Sequence, residues 1–83
     1  MSMISFRCYG ELNDYLSPVN RHRLFTLFCE DGMPVEDVID NLRIPLDEVV
    51  LVLADSQPVD FEYVPAGHER ISIFPLFRSI VPP

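Results

Sequence analysis

Val49-Val50-Leu51-Val52-Leu53-Ala54, turned by Asp55-Ser56-Gln57-Pro58 and answered by Ile71-Ser72-Ile73-Phe74-Pro75-Leu76-Phe77, is the stretch that decides how this chain folds. The first six residues are apolar without interruption. So short and β-branched a run reads as an inner strand covered on both faces. Val59-Asp60-Phe61 is a short strand or extended edge. Pro65-Ala66-Gly67-His68 turns the chain again, and Gly67 is expected to supply the positive φ of a tight turn. Ile71 to Phe74 is the last strand.

Working upstream, Val35, Val38, Ile39 and Leu42 fall at i, i+3, i+4 and i+7, which predicts one amphipathic helix over about residues 35–43. Glu36 and Asp37 in its first turn and Arg43 in its last suit the helix dipole, and Pro45 forbids continuation. Ile4, Phe6 and Cys8 alternate with Ser5, Arg7 and Tyr9, the period of a half-buried strand. Gly10 ends it. Leu12, Tyr15 and Leu16 lie at one-turn spacing in a polar loop with at most a turn of helix before Pro18. Arg23 to Cys29 is a second strand of poor alternation. Either Leu24, Thr26 and Phe28 or Phe25, Leu27 and Cys29 face inward.

The order is β-β-α-β-β-β, an α+β domain in which one helix covers a mixed four- to five-stranded sheet. Strands one and two form a hairpin, the helix crosses back, and the last strand pairs in parallel with the first. That is the β-grasp arrangement. The expected domain is residues 1–77, with 78–83 a tail or the start of a linker. A chain of 83 residues buries only about 60–65% of its unfolded surface, so its stability is modest.

Thirteen carboxylates face six arginines and no lysine, for a net charge of −7. Nucleic-acid binders neutralise phosphates with clustered cations, so direct RNA contact through Arg21 and Arg23 ranks last among the readings. No apolar run approaches the ~18 residues of a membrane span and no export signal is visible, which makes the cytoplasm the expected location. Cys8 and Cys29 are then reduced thiols. In the hairpin they lie about six residues apart along the strands, roughly 20 Å, beyond the ~7 Å reach of a disulfide.

The stretches Val35 to Pro45, Glu48 to Phe61 and Ala66 to Phe77, with the opening Phe6-Arg7-Cys8-Tyr9-Gly10-Glu11-Leu12-Asn13, resemble the ubiquitin-like domain of the Mut-seven C-terminal type. The resemblance covers roughly residues 3–77. It implies a ubiquitin-like β-grasp related to sulfur carriers, standing in bacteria before a PIN-like RNase domain. The chain departs from the family at three turns. Arg43 stands where the family usually has Gly, Asp55-Ser56 where it has Asn-Gly, and Gly67-His68 where it has Gly-Asp.

Little in the sequence points to chemistry. A sulfur carrier of the molybdopterin or thiamin type needs a C-terminal Gly-Gly, whereas this sequence closes on Pro82-Pro83. His22, His68, Cys8 and Cys29 lack the close spacing of zinc ligands, and Cys8 sits on an apolar strand face. Glu36, Asp37 and Asp40 read as a solvated helix face. Neither metal nor cofactor is expected, and no enzymatic activity.

What remains is the sheet face opposite the helix. If Ile4, Phe6, Ile71 and Ile73 turn toward the helix, then Arg7, Tyr9, Ser72 and Phe74 turn away, joined by half of Val49 to Leu53. Arg7, Tyr9, Phe74 and Phe77 are therefore the expected partner-binding residues. The partner implied by the resemblance is a PIN-like nuclease domain, in cis or in trans. The competing expectation is that Leu76 to Val81 folds back over this face.

Overall fold

The computed structural model describes residues 2–76. Its elements are β1 (Ser2–Cys8), β2 (Phe25–Cys29), α1 (Val35–Asn41), β3 (Val49–Ala54), β4 (Gln57–Val59) and β5 (Arg70–Pro75). They form one sheet in the order β2-β1-β5-β3-β4. β1 and β5 run parallel at its centre, with Phe6 opposite Ile71 and Cys8 opposite Ile73. The remaining neighbours are antiparallel. This is the β-grasp topology that the element order predicts.

The core lies between the sheet and α1. Ile4, Phe6 and Cys8 from β1, Ile71 and Ile73 from β5, and Val52 and Ala54 from β3 pack with Val35, Val38 and Ile39. Register settles the ambiguous second strand. Ile4 faces Leu27 and Phe6 faces Phe25 across the ladder, so Phe25, Leu27 and Cys29 share the inward face. Phe28 is left 69% exposed on the other. The same register puts Ser2, not Cys8, opposite Cys29, and both cysteines are buried free thiols.

The helix is two residues shorter than its apolar stripe suggests. Leu42 is its C-cap and Arg43 adopts φ 64°, a left-handed conformation that costs an L-residue roughly 1–2 kcal/mol. Arg43 N donates to Asp40 O at 2.8 Å and Ile44 N to Ile39 O at 3.3 Å. These are the paired bonds of a Schellman motif, and buried Ile44 and Ile39 supply its apolar contact. At the other end no side chain caps the helix. Val35 N and Glu36 N instead donate to Tyr63 O and Phe61 O, at 2.7 and 3.1 Å. The β4–β5 connection thus fastens the helix start.

The other departures from the family pattern also fall on left-handed backbone. Asp55 (φ 47°) and Ser56 (φ 73°) form the two-residue turn from β3 to β4, where both central residues of a type I′ turn need positive φ. In the next turn the left-handed residue is His68 (φ 69°), which corrects the expectation for Gly67. His68 N donates to Met3 O at 2.7 Å, and that bond across to β1 selects the conformation.

Two connections contain more helix than their sequences suggest. Gly10–Tyr15 and Pro18–Asn20 are 3-10 helices, as is Leu46–Glu48. Asn13, 1% exposed, organises the first of them. Its Nδ2 donates to Cys8 O and Gly10 O, both at 3.0 Å, and its Oδ1 accepts from His22 N at 2.7 Å. A buried amide that uses both ends in this way ties the strand exit to the return loop.

Candidate functional site

Strand alternation aims one set of side chains at α1 and the other at the opposite face. On that second face β1 and the residue that follows it contribute Met3, Ser5, Arg7 and Tyr9, and β5 contributes Arg70, Ser72 and Phe74, all exposed or half-buried. β3 pairs Leu51 with Phe74 and Leu53 with Ser72, so both leucines join them. A register shift between Val49 and Leu51 leaves Val50 60% exposed at the margin.

Three of the four expected residues meet at the centre of this face. The Tyr9 and Phe74 rings stack with centroids 4.3 Å apart and planes inclined by 13°. The Arg7 guanidinium carbon lies 5.1 Å from the Tyr9 centroid, within cation–π range. Arg7 Nε is buried and has no hydrogen-bond partner among the described residues. Phe77, the fourth, lies outside the described residues, as do most of the tail and the linker expected there.

Arg70 was not among the expected site residues, yet it borders the same pocket. This cavity of about 310 Å³ also touches Arg7, Tyr9, Ser72 and Phe74, with Leu24 and Leu53 on its flanks. The signal was available. Arg70 lies two and four residues before Ser72 and Phe74, so period-two alternation puts it on their face. Leu24, 43% exposed, became assignable only when the β1–β2 register fixed which half of β2 faces outward.

The other candidate groups are occupied elsewhere or isolated. Arg21 turns back on its own loop, with Nε donating to Leu16 O at 3.0 Å. Burial pushes the Cys8 thiol up to about 12, far from a thiolate at neutral pH. Among the described residues no three His, Cys, Asp or Glu side chains come together as a metal site, and no helix is long and apolar enough to cross a membrane. Asp37 and Asp40 are exposed on α1, whereas Glu36 is half-buried.

Comparison with known proteins agrees with the fold. The small archaeal modifier protein 1 of H. volcanii superposes with a TM-score of 0.68 at 14% identity, covering 90% of this chain and 98% of that one. A second structure of that Haloferax volcanii protein gives 0.66 at 15%, covering 89% and 94%. A putative molybdopterin converting factor, subunit 1, from Pyrococcus furiosus gives 0.68 at 11%, covering 90% and 98%. At these identities the likeness is one of fold. A search of curated proteins gives no match. The Mut7-C ubiquitin family model, however, matches residues 1–81, nearly the whole sequence, and the chain belongs to that family of ubiquitin-like domains.

Proposed function

We propose that this domain is a non-catalytic protein-interaction module of an RNA-processing nuclease, and that it docks on its PIN-like nuclease domain, in cis or in trans, through the open face of the sheet. Ubiquitin-like domains generally serve as protein-interaction modules, and the family membership supports that part of the reading. The observation that carries it is the aromatic stack of Tyr9 and Phe74 under the Arg7 guanidinium, set among exposed Leu24, Phe28 and Leu51. Aromatic and arginine side chains within a partly exposed apolar surface are the composition of interface centres. The half of this face nearest the central strands is ordered by its own contacts, which lowers the entropy cost of docking.

The non-catalytic part draws support from Cys8, whose thiol is buried in the core and held protonated. The sulfur-carrier alternative has only the fold in its favour, through a neighbour 11% identical. A cytoplasmic location goes with the nuclease assignment.

The test is Phe74→Asp, measured for association with the PIN-like nuclease domain by titration calorimetry. A buried charge in the stack is expected to weaken association by more than about tenfold while circular dichroism stays native. Undiminished association of the folded variant removes the open face from the interaction.

A further inference from the structure

In a chain with thirteen carboxylates and six arginines, the open-face pocket is bordered by two arginines, Arg7 and Arg70, and by no carboxylate. The β1–β5 register sets Arg7 opposite Ser72, and Arg70 precedes Ser72 by two residues on the same face. Strand spacing and rise then put the two arginine Cα atoms about 8 Å apart, near enough for both guanidinium groups to reach one anion. Asp55 is tied to the same strand, but its Oδ1 accepts the Arg70 backbone N–H at 2.9 Å and it is absent from the pocket wall.

Arg7 is held by stacking. Its guanidinium rests on Tyr9, and its buried Nε–H finds no acceptor among the described residues. A buried donor without an acceptor is costly, and an anion taken up in the pocket relieves that cost while offsetting the charge of both arginines. Ser56 and Ser72 hydroxyls on the same wall add donors for an oxygen ligand.

The apolar flanks say what carries the anion. Leu24 immediately precedes β2 on one side, and Leu53 of β3 lies on the other. In the order β2-β1-β5-β3 they are three strand spacings apart, about 14 Å. An extended peptide at ~3.4 Å per residue covers that in four residues, and its residues i, i+2 and i+4 all point to one side.

Resting on the reading of the open face as a docking surface, we infer that the Arg7–Arg70 pocket receives the carboxylate of an Asp or Glu in an extended segment of a protein partner, with an apolar residue two positions before it and another two positions after it. The segment crosses the strands, seats its acid between the arginines and sets its apolar residues on Leu24 and Leu53. A polyanion is the poorer occupant, because a net charge of −7 repels an extended phosphate backbone while a single carboxylate meets only the local field.

The test uses a fluorescein-labelled peptide with Leu-Ser-Glu-Ser-Leu between Gly-Ser flanks, and its Glu→Gln twin. Anisotropy is measured with the wild-type chain, Arg7→Gln, Arg70→Gln and Phe74→Asp, each checked for folding by circular dichroism. The Glu peptide should bind at least about tenfold tighter than the Gln peptide, and this preference should fall below about threefold in either arginine variant. Equal binding of the twins to wild type, a preference that survives both arginine variants, or no binding of the Glu peptide overturns the inference. So does a uridine oligonucleotide that displaces the peptide at equal nucleotide concentration. If the twins bind equally and Phe74→Asp abolishes both, the carboxylate pocket falls and the docking face stands. If the Glu preference holds while nuclease-domain association ignores Phe74→Asp, the pocket stands and the nuclease reading falls.

Discussion

The two faces of this sheet come from the same strands and have opposite contents. Toward α1, β1 and β5 present Ile4, Phe6, Cys8, Ile71 and Ile73, each 1% exposed or less. Away from it they present Arg7, Tyr9, Ser72 and Phe74, all partly exposed, beside Phe28 at 69% and Leu51 at 40%. The first face is sealed by apolar packing, and the Cys8 thiol is the most polar group those two strands present to it. The second mixes arginine, hydroxyls and aromatic rings, a composition that packs poorly as a core and well against another surface. Stability therefore resides on one side of the sheet, which leaves the other free for the docking proposed above.

Substitution of a phenylalanine on each side tests that division most severely. Phe6→Ala removes the largest fully buried side chain and should cost about 3–5 kcal/mol, enough to unfold much of so small a domain. Phe28→Ala, on the open side, should shift stability by no more than ~0.5 kcal/mol. Urea titration followed by circular dichroism reads both. Similar losses at the two positions would break the contrast.

The covered side can also be sharpened by relieving strain at its margin. Arg43 occupies the C′ position of α1 at φ 64°, where glycine has no steric penalty. Arg43→Gly should stabilise the domain by about 1 kcal/mol and raise Tm by roughly 4–8 °C. A lower Tm would mean that the arginine side chain contributes more than its backbone costs.

A smaller effect comes from the loop that caps α1. Tyr63 donates its hydroxyl proton to Glu69 Oε2 at 2.6 Å, and this hydrogen bond, with lesser contributions from desolvation and nearby carboxylates, pushes the phenol from 10 up to about 12. The folded chain thus holds that proton more tightly than the unfolded chain. The contribution is complete below pH 10 and is lost as pH rises through 12. The Cys8 thiol, raised by burial from 9 to about 12, acts in the same direction. The urea midpoint should fall between about pH 9 and about pH 12, and the part of the fall above pH 10 should be smaller in Tyr63→Phe. An equal fall in that variant would remove Tyr63 from the effect.

Much of the fold was legible because its signals were periodic. Alternation in Ile4 to Tyr9, the uninterrupted Val49 to Ala54 and the stripe of Val35, Val38, Ile39 and Leu42 each had one good reading. What escaped depended on partners distant in the chain. The facing of β2 needed its register with β1, and the left-handed residue at the last turn needed the hydrogen bond from His68 to Met3. Asn13 gave no local sign that it would be buried, since its three bonds go to backbone groups of the strand exit and return loop. At the site, alternation placed Arg7, Tyr9 and Phe74 on one face, but their contact arises only from the parallel pairing of β1 with β5. Arg70 was within reach of the same alternation, and its meaning emerged when the pocket proved to be bordered by arginines and no acids.

The proposal that the side of the sheet opposite α1 is the docking surface is tested most directly by amide hydrogen exchange of this domain with and without the PIN-like nuclease domain. The account predicts added protection along the strand segments around Arg7, Leu51 and Phe74, with α1 unchanged. Protection concentrated on residues 35–41, with the strands unaffected, would contradict it.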